Sequence, residues 1–237
     1  MRITLAYNLK TENVEDQAEL HTQAEIDALV EALKKLGHKI APVEVSGKPS
    51  AVIDRLLDSD PDLIFNIAEG RVGSAREAFY PGVYEQLGIP YTGSQPSVLH
   101  VNLDKQLAKT VAEAAGIKVP RGGLVTPGEK NLPPDISFPL IVKPNYEGSS
   151  IGIHQTSIVE TRDAYDGLIE GLLERFPAGL VVEEFIEGRE LTVPLLQAYP
   201  GEVLEVIEIN FDLERRGANY NIYDYTFKYG GGASLVT

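Results

Sequence analysis

Three stretches of the sequence carry residue types whose spacing could do chemistry. In the first, the apolar run Leu140-Ile141-Val142 delivers Lys143 at the end of an expected strand, and Glu147-Gly148-Ser149-Ser150-Ile151-Gly152 follows. Glycines let backbone approach an anion closely, successive N–H groups can form an anion-binding concavity, and the lysine adds charge. An ordinary hairpin with a solvated lysine fits the same residues. In the second, Val182-Glu183-Glu184-Phe185-Ile186 places a carboxylate among apolar neighbours on each face of a strand. A buried carboxylate needs a cation or a donor, from a ligand or from a structural partner such as Lys143 or Arg189. In the third, the aromatic stretch Tyr223-Asp224-Tyr225-Thr226-Phe227 runs as an expected strand through Lys228 and Tyr229 into Gly230-Gly231-Gly232. Core packing and a flexible loop explain it, and so does a mobile lid over phosphates.

The elements that must position these groups follow from apolar periodicity. A strand over residues 2–7 precedes an amphipathic helix through Leu20, Ala24, Leu29, Leu33 and Leu36, which Gly37 ends. A strand near 39–45, a short helix through Val52, Leu56 and Leu57, and the buried strand Leu63-Ile64-Phe65 complete a β/α alternation. This predicts a doubly wound parallel sheet with ligands at the C-terminal strand ends, where Asn66 to Arg71 lie. Gly88 to Ser94 reads as a short strand and turn, and Leu103 to Ala115 as a helix. Beyond a proline-bearing loop at 126–137 the pattern becomes α+β. Strands are expected at 138–143, 151–155, 179–186, 190–197 and 203–210, with a helix near 161–175.

Composition narrows the function. Hydrophobic residues make up 43% and charged residues 24% of the 237 residues, as in a folded soluble domain. The net charge of −14 disfavours nucleic-acid and anionic-membrane partners. Without cysteine there is no disulfide, thiolate nucleophile or cysteine-held metal. The polar N-terminal strand is unlike a signal peptide, and no apolar run nears the ~20 residues that span a bilayer. A cytoplasmic location is expected.

In order and spacing, five blocks resemble the D-alanine–D-alanine ligase family of ATP-grasp enzymes. They are Gly88-Ile89-Pro90-Tyr91-Thr92-Gly93-Ser94, Asp104-Lys105 with Ala115-Gly116-Ile117, Ile141 to Gly152, Glu183 to Glu190, and Tyr223-Asp224-Tyr225 with Lys228-Tyr229. The resemblance covers residues 60 to 237 and implies three parts. These are an N-terminal Rossmann-like pre-ATP-grasp domain at 1–95, a central ATP-grasp subdomain at 96–178, and the first part of the C-terminal subdomain at 179–237. It implies ATP as cofactor, held between two antiparallel sheets. Lys105 and Lys143 match lysines that meet its phosphates, and Gly148, Ser149 and Ser150 the loop beside them. Glu183 matches the residue at the adenine amino group, and Glu184 and Ile186 the backbone contacts to the adenine edge. Phe185 matches an aromatic residue beside the base, and Glu190 the ribose-binding carboxylate. Ser149 and Tyr229 match a substrate-orienting pair, and Lys228 the lysine beside the transferred phosphate. The implied reaction joins two amino acids through an acyl phosphate, with D-alanine the first-choice substrate. Ligases of this family are often homodimers, which sets the expectation of a homodimer acting on small-molecule amino acids.

Two departures set further expectations. The family's glycine/serine turn after the first strand is replaced by Asn8 to Glu19, leaving Glu12 or Glu15 to meet a substrate ammonium. Asn66-Ile67-Ala68-Glu69-Gly70-Arg71 stands where a His-Gly pair is usual. Both fall where amino acid should bind, so a ligase for another amino acid or a peptide is an alternative. The family's Mg2+ ligands are expected beyond Thr237, which leaves no metal ligand in this sequence and predicts that the 237 residues alone are inactive. A nucleotide-binding fragment without catalysis is therefore the other alternative. Glu208-Ile209-Asn210 precedes Lys228 rather than following it, so Glu205, Glu208 and Asp212 are read as a solvated acidic face.

Overall fold

A computed structural model describes residues 1–196, 204–211, 219–230 and 234–236. The chain divides into two compact units, Met1–Val111 and Ala112–Thr237.

The first unit is built on a parallel sheet of order β2-β1-β3, formed by β1 (Arg2–Tyr7), β2 (Lys39–Glu44) and β3 (Leu63–Ile67). Alternate residues of β1 face opposite layers. Leu5 and Tyr7 pack with Ile26 of α1 (Gln23–Lys35). Ala6 joins Val43 and Ile64, with Val52 and Leu56 of α2 (Pro49–Asp58) and Tyr80 and Tyr84 of α3 (Arg76–Leu87). Both faces are covered, so the sheet is doubly wound. Helix α1 starts later than its periodicity predicts, because Thr22 and Glu25 form a reciprocal cap that fixes the first turn. Its inner residue is Ile26, while Leu36 points to solvent. The Gly88–Ser94 stretch gives a single parallel bridge, Ile64 to Tyr91, rather than a strand. Helices α4 (Pro96–Leu103) and α5 (Lys105–Ala114) follow.

One buried side chain ties the strand ends together. Asn8, 1% exposed, accepts from the N–H groups of Glu69 (2.9 Å) and Gly70 (3.2 Å) and donates to Ser46 Oγ (3.1 Å). At the same turn Arg76 Nη2 donates to both carboxylate oxygens of Glu19 (2.9 and 3.0 Å).

The second unit holds two antiparallel sheets. The larger has order β4-β7-β5-β6, from β4 (Gly122–Val125), β5 (Leu140–Pro144), β6 (Ile158–Val159) and β7 (Leu180–Glu184). The smaller has order β10-β9-β8, from β8 (Glu190–Thr192), β9 (Ile207–Asn210) and β10 (Ser234–Val236). Helix α6 (Arg162–Arg175) begins at Thr161, whose Oγ1 accepts from Ala164 N at 3.2 Å.

Two strands expected in this unit are not strands. Residues 151–155 form a turn that leads into a short 3-10 helix, Gln155–Ser157. The cause lies just upstream, where Ser149 and Ser150 take left-handed φ values of 47° and 61° and curl the chain. The aromatic stretch turns into helix α7 (Tyr225–Tyr229), because Asp224 Oδ1 accepts from Phe227 N at 2.7 Å and caps it. Gly231, Gly232, Asp212 and residues 197–203 lie outside the described residues. Among the described residues no helix is long and apolar enough to cross a membrane.

Candidate functional site: a nucleotide-sized cleft in the second unit

Strand register explains the heart of this site. In the antiparallel pair β5–β7, Ile141 lies opposite Glu183 and Lys143 opposite Val181. Directly opposed residues share a face, so Ile141, Lys143, Val181 and Glu183 project to one side. The diagonal between Lys143 and Glu183 is within reach of a lysine, and Lys143 Nζ forms an ion pair with Glu183 Oε1. Glu183 is only 5% exposed, so this cation offsets the cost of burying its charge.

Past Glu184 the chain leaves the strand, and its backbone is pinned on both sides. Glu184 N donates to Arg121 O and Phe185 N to Pro139 O, both at 2.9 Å. The Glu184 carboxylate accepts from Arg121 Nη2 (2.7 Å), Arg121 Nε (3.1 Å) and Ser137 N (3.1 Å). The Arg121 guanidinium holds that carboxyl below the usual carboxylate range. Phe185 meets the edge of Tyr220 at 5.4 Å between centroids, and Ile186 is exposed.

Ile141, Lys143 and Glu183 to Ile186 line a cleft of about 430 Å³ with Pro120, Ile153, Arg189, Glu190, Asn221, Ile222 and Tyr223. Glu190, on β8, accepts from Tyr223 N–H, and burial pushes its carboxyl above the ordinary range. Asn221 Oδ1 is buried without a hydrogen-bond partner among the described residues, a strong incentive for a ligand donor to approach.

The raised carboxyl of Glu190 has a checkable sign. A carboxyl whose folded pKa lies above its unfolded value loses stability as pH rises through the folded pKa, because the ionised form is the disfavoured one. Glu190→Gln is therefore expected to melt at or above the wild-type temperature at pH 8, with the difference vanishing near pH 3. Thermal melts across that range check it; a variant that melts lower at pH 8 contradicts it.

Beside the cleft lies the Gly/Ser turn. Lys228 Nζ donates to Ser149 Oγ at 3.2 Å, and Ser150 Oγ donates to Tyr223 O at 2.7 Å. Gly148 O accepts from Ile151 N at 2.9 Å, closing the turn. Lys228 Nζ also sits 5.9 and 5.7 Å from the ring centroids of Tyr223 and Tyr229.

Of the residues singled out from sequence, Lys143, Glu183, Glu184, Phe185, Ile186 and Glu190 line the cleft, and Ser149, Ser150 and Lys228 join around the turn. Tyr229 stacks on Tyr225 (5.1 Å), and Lys105 opens α5 in the first unit. Sequence reasoning missed Arg121, Gln155 and Asn221. Arg121 meets Glu184 across 63 residues, and no local pattern marks such a pairing. Glu208, from the Glu208-Ile209-Asn210 pattern, faces Arg189 at 3.6 Å. Among the described residues no group of three or more His, Asp or Glu is placed to hold a metal ion.

The first unit has its own cavity, about 530 Å³, at the strand ends. Pro49, Gly70, Arg71, Val72, Phe79 and Tyr80 are among its lining residues. Glu12 and Glu15 lie outside that lining.

Known proteins carry the same architecture. Residues 125–237 match the family model described as D-ala D-ala ligase C-terminus. The chain is 34% identical over 208 residues to a D-alanine–D-alanine ligase of Aquifex aeolicus, covering 87% of this chain and 65% of that protein. Residues 125–237 belong to the D-alanine–D-alanine ligase family. Another ligase of this family, from Haemophilus ducreyi, is 33% identical over 219 residues, covering 91% of this chain and 65% of that one. Among solved structures, D-alanine–D-alanine ligase from Bacillus anthracis complexed with ATP superposes with a TM-score of 0.68 at 27% identity. That match covers 89% of this chain and 66% of the other. The chain spans 54%, 65% and 62% of the length of three curated relatives.

Proposed function

We propose that the second unit binds ATP in the Lys143–Glu183 cleft and serves an ATP-dependent carboxylate–amine ligase that forms a dipeptide, with D-alanine the first-choice substrate. The observation that carries this reading is the paired Lys143 and Glu183 beside Phe185, Glu190 and the Gly/Ser turn. Membership of residues 125–237 in the ligase family and the ATP complex of the Bacillus anthracis relative support it.

Glu183 and the backbone at Glu184 and Ile186 meet the adenine edge, and Phe185 covers a face of the base. Glu190 accepts from ribose hydroxyls. Lys143 contacts phosphates, aided by N–H groups at Gly148, Ser149 and Ser150. Lys228, held on Ser149, lies beside the transferred phosphoryl group, while Ser149 and Tyr229 orient the amino acid.

In the reaction, the carboxylate oxygen of one amino acid attacks the γ-phosphorus of ATP and ADP leaves, giving an acyl phosphate. The amine of the second amino acid attacks the acyl carbon, phosphate leaves, and the amine gives up a proton as the amide forms. Negative charge builds in the transfer, so catalysis rests on positioning and on the lysine ammonium groups. A cytoplasmic homodimer is part of the same proposal.

The substrate has a second reading. Val72 and Phe79 are exposed beside the first-unit cavity, which suits an amino acid with a larger apolar side chain than alanine.

The test is phosphate release from Mg-ATP by the intact protein against a panel of amino acids. Release that depends on D-alanine, or on one bulkier amino acid, supports the ligase and names its substrate. ATP binding without release under any amino acid supports a nucleotide-binding module and overturns the ligase reading.

A further inference from the structure

Gln155 opens the short 3-10 helix after the Gly/Ser turn and uses every hydrogen-bonding position of its amide on one distant segment. Its Nε2 donates to Tyr220 O (3.2 Å) and to Asp224 Oδ2 (3.1 Å). Its Oε1 accepts from Asn219 N (3.2 Å) and Tyr220 N (3.0 Å). A primary amide has two donor hydrogens and two acceptor lone pairs, so all four are engaged.

The rest of the segment is stitched in the same way. Ile153 O accepts from Tyr225 N at 3.0 Å, Ser150 Oγ donates to Tyr223 O, and Ser149 Oγ receives Lys228. Residues 219–224 in turn make one wall of the cleft. Asn221, Ile222 and Tyr223 line it, Tyr220 abuts Phe185, and Tyr223 N–H bonds Glu190. Asp224, whose second oxygen meets Gln155, caps α7, the helix that carries Lys228.

We infer that Gln155 is a positioning residue that clips segment 219–224 against segment 149–155, fixing the cleft wall and the placement of Lys228 together. Gln155 touches no reacting atom; it acts through Asp224, Tyr220 and α7. The amide is required because the partners include both donors and acceptors. Methionine keeps the length and loses all four bonds. Glutamate keeps acceptors, loses both donors, and sets a carboxylate against Asp224. The inference rests on the ATP reading only for the identity of the ligand.

Hydrogen exchange of the intact protein, paired with ATP titration, tests it. In Gln155→Met, amides of residues 219–229 should exchange at least about tenfold faster, as expected when several bonds of about 1 kcal/mol each are lost. Amides of α6 should be unchanged. ATP should bind about tenfold more weakly, equivalent to about 1.4 kcal/mol. Gln155→Glu should lose at least as much. Adding Asp224→Asn to Gln155→Glu reverses donor and acceptor across the same contact and keeps the α7 cap oxygen. That pair should recover ATP affinity to within about fivefold of wild type, since only the bond to Tyr220 O stays lost and one such bond is worth about 1 kcal/mol.

Unchanged exchange in 219–229, faster exchange of α6 as well, unaltered ATP affinity or failure of the swapped pair each overturns the clip. Failure of the wild-type protein to bind ATP sinks the nucleotide reading instead, while the exchange comparison still decides whether Gln155 holds the segment.

Discussion

Lys143→Met is expected to abolish measurable ATP binding and to lower the thermal midpoint of the second unit, two losses with separable causes. The stability loss comes from Glu183, whose 5% exposed carboxylate would lose its ion pair with Lys143. Removing one partner of a buried pair costs about 3–5 kcal/mol, and the partial exposure of Lys143 places this case near the lower figure. In a chain of this size that corresponds to a drop of roughly 6–12 °C. The binding loss comes from the phosphates, which lose the Lys143 ammonium group in a protein of net charge −14. A fall of at least about a hundredfold is expected, near 3 kcal/mol.

A second substitution separates the two effects. Lys143→Met with Glu183→Leu removes both charges and leaves an apolar pair of similar volume, which is often neutral or stabilising. The double variant should regain most of the lost melting temperature and none of the ATP affinity. Calorimetric melts and ATP titration of both variants check this. A double variant that recovers binding would show that Lys143 matters only as a counter-ion.

Gly122→Ala is expected to be the most destabilising small substitution in the larger antiparallel sheet. Gly122 pairs with Glu183 on β7 at φ +151°, and an added Cβ would lie 2.2 Å from Val182 O and 2.5 Å from Glu183 Cα. Both are backbone atoms, so relief requires β4 to move off β7 rather than a side chain to rotate. A cost of about 3 kcal/mol is expected, within the range of strained backbone positions combined with overpacking. The neighbouring Gly123→Ala is the control, because its Cβ would meet only Pro133 side-chain atoms at 3.4 and 3.6 Å. That variant should stay within about 1 kcal/mol of wild type. Denaturant unfolding of the two variants tests the contrast, and equal stabilities would contradict it.

What the sequence made legible was whatever a local period or a chain punctuation mark encodes. The alternation through Leu5, Val52, Leu56 and Ile64 led to the doubly wound sheet, and the apolar run ending at Lys143 led to β5 and one side of the cleft. Helix α3 was not legible, because its N-cap is Ala75, Pro81 lies inside it, and what holds its start is the Arg76–Glu19 pair. The strand expected at 223–229 failed for a related reason. Aromatic alternation predicts a strand, but one cap from Asp224 starts α7. Site residues defined by partners far along the chain were out of reach as well. Arg121 finds Glu184, and Gln155 finds Asp224 69 residues later, through folding alone. The pairing of Lys143 with Glu183 was among the structural alternatives open from sequence, and the fold places it at the centre of the cleft.

Titration calorimetry of ATP into this chain, run beside Lys143→Met, tests the central claim most directly. The account predicts one site per chain in the wild type and no measurable binding in the variant. Wild-type heats indistinguishable from dilution at millimolar ATP, or equal affinities in the two proteins, would contradict it.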